Sequence, residues 1–246
     1  MRQISFTKII TRVLLVMLFC ASTTFVLADD EWKREISLGY NQSSGNTDNA
    51  QLSLVGSISK NTDEYEFLSS IDIYYSSTND AMDSQKWVGL ARYAFNFGEE
   101  ELWFNSYQVQ VDHDYFADID YRLLPSVGIG YWLFKEEGFK WSLEGSVGYQ
   151  ITKYRSSTPD QEESTFIART FIEKQVFENA SLSEDLSIIP SLEGGSTRIK
   201  SETAFTNPIN ESMDFSVKYI VDHDSQPAEG KKKTDTRVIT AVKYSF

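Results

Sequence analysis

Two copies of one charged tripeptide hold the only histidines of this 246-residue chain, Asp112-His113-Asp114 and Asp222-His223-Asp224. An Asp–His pair can orient the imidazole as a general base, or it can help to hold a divalent cation. The alternative is two solvated loop starts, where turn chemistry favours aspartate. No Gly-x-Ser-x-Gly motif accompanies the histidines, so no serine nucleophile can be singled out. A hydrolase, a metal site and plain surface motifs all stay open on these residues.

The secondary structure that would position these motifs is clearest at the C-terminus, where mainly apolar side chains alternate with polar or small ones. One face of the last segment carries Val238, Thr240, Val242, Tyr244 and Phe246, and the other carries Arg237, Ile239, Ala241, Lys243 and Ser245. Successive side chains of a strand point to opposite faces, so the segment predicts a strand with one apolar face. Tyr244 and the terminal Phe246 resemble the signal by which the barrel-assembly machinery recognises outer-membrane β-barrels.

The N-terminus predicts export. Arg2, Lys8 and Arg12 precede an apolar run at 13–19, and small residues end in Ala28 before two aspartates. This is the pattern of a cleaved signal peptide, so we expect residues 1–28 to be removed and residues 29–246 to form the mature domain. The apolar run is too short for a membrane anchor, which needs about 20 residues. The single cysteine, Cys20, would leave with the signal, which excludes disulfides, catalytic thiols and cysteine metal sites.

Composition narrows the function classes further. With 20 basic and 36 acidic residues left after residue 28, the mature charge is 20 minus 36, or −16. Nucleic acid is therefore an unsuitable partner, because phosphate binding needs a basic face. No later segment approaches 18 consecutive apolar residues, so membrane crossing would have to use alternating strands. We expect no cofactor.

Alternation predicts twelve strands along the mature chain. They cover residues 35–42, 50–59, 64–76, 86–97, 101–111, 122–134, 139–152, 165–176, 180–192, 198–206, 212–221 and 234–246. The fifth is the least regular, because Leu102 and Phe104 fall on its polar side. Pro125 and Pro190 each predict a bulge or a local break, because proline removes a ladder donor.

Strand and linker lengths favour a closed transmembrane barrel over a soluble sandwich, which shows the same alternation. The strands run about 10 to 13 residues, against about 5 to 6 in globular sheets. Short linkers at 61–63, 98–100, 135–138, 178–179 and 207–210 alternate with longer ones at 77–85, 112–121, 155–164 and 223–233. Bacterial barrels have an even strand number, short periplasmic turns and longer outer loops. The predicted fold is therefore an all-β, closed antiparallel barrel of twelve strands.

The inner face of this barrel would carry charges of both signs. They are Asp72, Lys86, Arg92, Arg122, Glu144, Arg169, Arg198, Asp214, Lys218, Asp235, Arg237 and Lys243. A circular barrel of this size has a backbone radius of roughly 12 Å, which leaves a narrow lumen and puts the two tripeptides about 24 Å apart. The charges would either tune the selectivity of a pore for ions or small solutes, or pair and close the lumen.

Several segments resemble a known family. They are Ser44-Gly45-Asn46-Thr47-Asp48, the run from Asp114 to Arg122, Gly128-Ile129-Gly130-Tyr131, and the ending from Gly230 through Tyr244-Ser245-Phe246. Together they resemble the YdiY-like, salt-induced outer-membrane protein family, a domain of unknown function. The resemblance covers essentially the mature chain and implies an outer-membrane β-barrel. It implies no substrate and no catalytic residue.

The loops suggest contacts with the membrane surface. The longer linkers are mostly acidic and would either bind divalent cations that also bridge lipopolysaccharide, or form a repulsive, soluble surface. Lys231-Lys232-Lys233 would either meet lipid phosphates at the outer rim or form a solvated run. Three function classes therefore remain: a narrow channel or envelope protein linked to salt stress, a structural barrel with a salt-bridged lumen, and an outer-membrane hydrolase.

Overall fold

Twelve antiparallel strands form the protein. The computed structural model describes residues 32–43, 49–156 and 158–246. The strands are β1 (Lys33–Ser43), β2 (Asn49–Asn61), β3 (Tyr65–Thr78), β4 (Ala81–Phe97), β5 (Trp103–Asp114), β6 (Ile119–Glu136), β7 (Phe139–Tyr154), β8 (Gln161–Gln175), β9 (Ser181–Pro190), β10 (Thr197–Asn210), β11 (Met213–Asp224) and β12 (Thr234–Ser245). The predicted signal peptide, 1–28, and the motif at 44–48 lie outside the described residues, so cleavage stays a prediction.

Each strand pairs with its sequence neighbours, and β1 pairs with β12 to close the ring. The closing ladder matches Ile36 with Tyr244 and Leu38 with Val242. The predicted closed barrel of twelve antiparallel strands is therefore confirmed. Among the described residues, no helix is both long and apolar enough to cross a membrane.

The apolar face of the sheet lies on the outside of the barrel. Tyr107, Ile129 and Val147 keep 53%, 48% and 54% of their side chains exposed. A soluble sandwich would bury such residues between two layers, whereas this sheet closes on itself and leaves them outward. The sandwich alternative is therefore wrong, and the polar alternate residues point into the lumen.

The strands run further than the alternation predicted, so most of the expected long loops are short. In place of a loop at 77–85, Asn79 and Asp80 alone join β3 to β4, both with positive φ. The connection between β5 and β6 is residues 115–118 rather than 112–121, whereas 225–233 stays long. We name the end with these connections the loop end, and the opposite end, where both termini of the barrel lie, the turn end.

The prolines interrupt the ladder locally. Leu123 and Ser126 of β6 keep one register with β7, but no pairing with β7 involves Leu124 or Pro125 between them. Pro190 is the last residue of β9. Both effects follow from the missing N–H of proline, and neither opens the barrel.

Candidate functional site

Charged side chains on the inner face form the candidate site, because their ion pairs join strands that are not neighbours. Arg92 Nη2 on β4 lies 2.9 Å from Glu144 Oε2 on β7, although β5 and β6 separate these strands. Such a contact runs through the lumen. The structure places on this inner face the sequence-predicted charges Asp72, Lys86, Arg92, Arg122, Glu144, Arg169, Arg198, Asp214, Lys218, Asp235, Arg237 and Lys243.

Six charged side chains span the lumen near the loop end, and we name this group the brace. Its members are Lys86, Asp112, Asp114, Arg122, Asp222 and Asp224. Lys86 Nζ lies 2.8 Å from Asp222 Oδ2 and 3.7 Å from Asp114 Oδ2. Arg122 lies 3.7 Å from Asp112 Oδ2 and 3.3 Å from Asp224 Oδ2. Each cation therefore links β5 to β11, which lie on opposite sides of the ring.

Further hydrogen bonds hold the brace in position. Arg237 Nη2 donates to Asp222 Oδ2 at 2.6 Å, and Gln110 Nε2 donates to Asp112 Oδ1 at 2.7 Å. Arg122 Nε donates to the hydroxyl of Thr152 at 3.2 Å. Buried charges are costly unless they are paired and hydrogen-bonded, and these contacts meet both conditions.

The brace shows that the barrel is flattened. A lysine side chain reaches about 6 Å from its Cα and an aspartate about 4 Å, so a contact of 2.8 Å keeps the Cα atoms of Lys86 and Asp222 within about 13 Å. A circular ring of twelve strands would hold these positions more than about 20 Å apart. The expected circular cylinder is therefore wrong at this level, and the lumen is narrower than the sequence estimate.

A second ion network lies deeper in the barrel, with Glu144 at its centre. The Glu144 carboxylate accepts from Arg92 at 2.9 Å, from Arg169 at 3.4 Å and from the Ser146 hydroxyl at 2.9 Å. Arg169 also pairs with Asp185 on β9 at 2.6 Å. Nearer the turn end, Lys243 bridges Glu35 and Asp214, and Lys218 pairs with Glu202.

Apolar side chains also pack inside the lumen, in three clusters. Ala94, Phe104 and Trp132 form one cluster, with Leu102 and Phe171 packed against it. Two further clusters consist of Tyr74, Ile220, Ile239 and Ala241, and of Leu124, Ile167 and Ile189. The irregular phase of the fifth predicted strand has its explanation here, because Phe104 is a lumen residue that is only 3% exposed.

A vestibule of about 880 Å³ opens at the loop end. Brace residues form part of its lining, and Asn41, Gln51, Tyr74 and Lys231–Lys233 line it as well. Its walls therefore offer amides, an aromatic ring and charges of both signs. A small hydrated ion fits this chemistry as far as the brace, where the lumen is occupied by side chains.

Two lumen cations have no carboxylate within ion-pair distance among the described residues. Arg198 is 5% exposed and donates to Gln150 Oε1 at 2.7 Å, which is a neutral partner. Lys200, two residues along the same face of β10, has no carboxylate oxygen within 4 Å in the described part of the chain. The two like charges lie close to Asp112 and Asp222 of the brace, so the lumen charge there is balanced without direct pairs.

The structure separates each histidine from its flanking aspartates. The Asp112 and Asp114 side chains point into the lumen, whereas His113 lies outside, where its ring stacks on Trp87 at 5.9 Å. His223 Nδ1 lies 2.8 Å from the Thr234 hydroxyl. The described residues also contain no cluster of three or more His, Cys, Asp or Glu side chains that could hold a metal ion. The Asp–His pairs that would support a hydrolase or a metal site are therefore not assembled.

The sequence analysis did not place the four aspartates of the brace in the lumen. It ended the fifth and eleventh strands before the two tripeptides, so it assigned their carboxylates to loops. Both strands continue through the tripeptides, and period-2 alternation then turns Asp112, Asp114, Asp222 and Asp224 inward. The two strands lie on opposite sides of the ring as expected, but the expected separation of about 24 Å is wrong at this level, because Lys86 and Arg122 connect the two motifs across the lumen.

The C-terminal aromatic residues lie on the outer face at the turn end. Tyr244 and Phe246 are 51% and 58% exposed, and their rings stack at 5.9 Å. The Phe246 N–H donates to the Arg34 carbonyl at 3.0 Å, which ties the terminus to β1. The final strand thus completes the ring, and its role as an assembly signal stays a prediction.

Solved structures with a similar fold are outer-membrane barrels. The NanC porin superimposes with a TM-score of 0.52 at 6% identity, covering 86% of this chain and 98% of that chain. The COG4313 outer membrane channel from Pseudomonas putida F1 gives a TM-score of 0.52 at 11% identity, covering 87% and 95%. Identities this low establish a shared fold. A comparison with curated proteins finds no match.

A family comparison reaches nearly the whole barrel. The family described as "Protein of unknown function, DUF481" matches residues 36–246, from the fourth residue of β1 to the last residue of the chain. With the closed barrel and its charged lumen, the match makes this chain a member of the DUF481 family.

Proposed function

We propose that this protein is a narrow outer-membrane channel for small ions, exported through the periplasm, whose lumen is closed by the brace in the state described here. The observation that carries the proposal is that Lys86 and Arg122 cross the lumen and pair with carboxylates on β5 and β11. Lys86 and Arg122 have long side chains, and their rotation away from β11 would open a charge-lined path past the brace. The vestibule that leads to the brace supports the same interpretation.

The chemistry of the path favours ions over larger solutes. Carboxylates and cations alternate around the lumen, and Arg198 and Lys200 have no direct carboxylate partner within the described residues. A mobile ion can exchange with such groups, because binding by several weak sites allows both capture and release. The flattened cross-section excludes bulky substrates.

The second candidate is a structural barrel that never conducts. The three apolar clusters favour it, because Phe104, Trp132 and Phe171 pack in the lumen where a permanent pore would be wet. In this case the ion networks serve to satisfy buried charge and to hold the flattened shape.

Single-channel recording of the refolded protein in planar bilayers tests the two candidates. We predict low, intermittent conductance for the wild type and larger, longer openings for a variant that combines Lys86→Ala with Arg122→Ala. That variant leaves four brace carboxylates facing the lumen, so its reversal potential in a KCl gradient should shift towards cation selectivity. Lys140→Ala is the matched control, because Lys140 lies at the turn end, away from the brace, with a side chain that is 50% exposed and 4.0 Å from Glu173.

The outcomes separate the candidates clearly. If neither the wild type nor the double variant conducts at any voltage or salt concentration, the channel is excluded and the structural barrel is supported. Equal conductance of the double variant and Lys140→Ala would remove the brace as the closing element. Native-like migration of each variant on unboiled SDS gels shows that a silent sample has folded.

The link to salt stress belongs to the same proposal and rests on the YdiY-like resemblance alone. We expect the abundance of the protein in the envelope to rise after an increase in external NaCl. Quantitative mass spectrometry of outer-membrane fractions measures this, with an equal osmotic dose of sucrose as the control. An unchanged level in NaCl would dismiss the link without touching the channel.

A further inference from the structure

One carboxylate lies on the lipid-facing wall of the barrel. Glu184 of β9 shares its face with Leu182 and Ile188, which are 44% and 41% exposed, whereas the adjacent Asp185 points inward to Arg169. The Glu184 carboxylate accepts hydrogen bonds from the hydroxyls of Ser201 at 2.6 Å and of Thr203 at 2.5 Å. No lysine, arginine or histidine nitrogen of the described chain lies within 4 Å of it.

The position of Glu184 in the outer wall favours a cationic partner, which the described residues do not supply. Leu182 follows it towards the turn end and Leu186 towards the loop end, so the carboxylate lies inside the apolar wall and close to its turn-end boundary. A carboxylate facing lipid is costly, and the cost falls near the interface, where a cationic headgroup can reach it. Two hydroxyl donors orient the carboxylate but leave its charge uncompensated.

An apolar groove begins beside this carboxylate. Gly145 and Ala168 are paired across β7 and β8, and their small size leaves a hollow of about 490 Å³ in the outer wall. The hollow is bordered by Trp103, Ile129, Tyr131, Leu143, Leu186 and Ile188. Leu186 is the next residue after Glu184 on the same face, so the groove and the carboxylate adjoin.

We infer that the groove and Glu184 together bind a phospholipid with a primary-ammonium headgroup, such as phosphatidylethanolamine. The ammonium donates to Glu184 at the turn-end boundary, and one acyl chain lies in the groove over Gly145 and Ala168. From Glu184 to Ile188 the strand rises about 13 Å, which an acyl chain spans easily. The inference rests on placement of the barrel in a membrane and not on conductance.

The chemistry of the wall favours a lipid over a second copy of the chain. Most of the groove border is apolar. Its polar members are Thr170, whose hydroxyl is already engaged by Trp141 Nε1 and the Ser142 carbonyl, and Glu144 and Arg169, whose charged groups pair in the lumen. A groove of this kind suits a flexible hydrocarbon chain. Among the described residues at its edge, the charge without an ion-pair partner is the negative one of Glu184, which an ammonium group complements and a phosphate does not.

Native mass spectrometry of the detergent-folded protein tests the inference. The probe is an equimolar mixture of phosphatidylethanolamine and phosphatidylglycerol with identical acyl chains. We expect the wild type to retain phosphatidylethanolamine about tenfold over phosphatidylglycerol, the size of one charge-assisted hydrogen bond. Glu184→Gln should remove this preference. Gly145→Leu should reduce retention of both lipids, because it fills the groove from a position where an added Cβ meets Phe166 only at 3.5 Å.

Glu162→Gln is the matched control. Glu162 is also a carboxylate on the outer face, bonded to the Tyr149 hydroxyl at 3.1 Å, but it lies at the loop end away from the groove. Equal retention of the two lipids by the wild type would overturn the inference, and so would an unchanged preference in Glu184→Gln. Dimers that depend on Glu184 would assign the face to a second copy instead. Conductance of Glu184→Gln should match the wild type, so a failed channel and a failed lipid site are distinguishable.

Discussion

At the scale of single residues, most lumen charges are stabilised by a partner of opposite charge, and those of the brace find theirs across the barrel. Asp222 illustrates this, since Lys86 and Arg237 both reach its Oδ2, at 2.8 Å and 2.6 Å. Removing one member leaves buried charge that is no longer fully compensated, which is more costly than replacing the whole group by apolar residues. Charge and shape are therefore coupled, and the brace both satisfies its own members and narrows the lumen.

Gly130 gives a prediction at this scale, because an aromatic ring occupies the space of its absent side chain. An added Cβ would lie 2.1 Å from Phe104 Cζ, and the ring cannot retreat because it packs beside Trp132 and beneath Arg92. We expect Gly130→Ala to lower the free energy of unfolding by about 1 to 3 kcal/mol. Urea unfolding in detergent micelles, followed by tryptophan fluorescence, measures this change.

Gly145→Ala serves as the control for that change, because its added Cβ faces the lipid side at 3.5 Å from Phe166. Combining Gly130→Ala with Phe104→Leu should restore part of the lost stability, since the smaller side chain vacates the contested space. Equal effects of the two alanine variants would contradict a steric role for the Phe104 ring.

At the scale of elements, the length of each strand decides whether a side chain near its end faces the lumen, faces the exterior or belongs to a loop. Strands β3 and β4 continue to a turn of two residues, so side chains expected in a loop instead alternate between lumen and exterior. The same extension of β5 and β11 turns two supposed surface motifs into the walls of the brace. A one-residue change of phase would exchange every inward and outward side chain of a strand.

The turn between β3 and β4 supports a second prediction. Asn79 and Asp80 have φ of 49° and 62°, the left-handed values that a two-residue hairpin turn requires. We expect Asp80→Gly to raise the free energy of unfolding by roughly 0.5 to 1 kcal/mol, because glycine adopts this conformation without strain. Asp80→Val should lower it by about 1 to 2 kcal/mol, because a β-branched side chain clashes there. Denaturant titrations rank the variants, and the reverse order would refute the turn geometry.

At the scale of the whole molecule, closure of the ring is the source of cooperativity. The ladder of β1 with β12 leaves no free sheet edge, so the strands support one another around the barrel. An apolar exterior and a charged, partly apolar interior then reverse the arrangement of a soluble protein. This reversal fits a lipid solvent outside and explains why lumen charges pair so extensively.

Gel migration tests closure directly. We expect unboiled protein to migrate differently from boiled protein in SDS gels, because SDS must break the whole ring before the chain unfolds. Leu38→Pro should abolish the shifted band, since proline removes the N–H of a residue paired with both β12 and β2. Leu38→Ala keeps that N–H and should retain the band. Identical migration of boiled and unboiled wild-type protein would argue against a closed barrel.

The sequence by itself determined the barrel, its strand number and the inward face of the predicted charges. Each of these follows from the alternation of polar and apolar side chains with a period of two residues, which can be read from short segments of the sequence. The prolines at 125 and 190 disturb this alternation only locally. The aromatic C-terminal strand was predictable for the same reason, because its two alternating faces can be identified from its own sequence.

Only the tertiary structure decided which charges meet. The distance between Lys86 and Asp222 depends on how far the ring is flattened, and flattening depends on packing across the lumen by residues such as Phe104 and Tyr74. No local pattern contains that information, because the contacts join strands far apart in the chain. The lipid-facing position of Glu184 beside a groove is a similar case, since Gly145, Ala168 and Glu184 come together only when three strands are laid side by side.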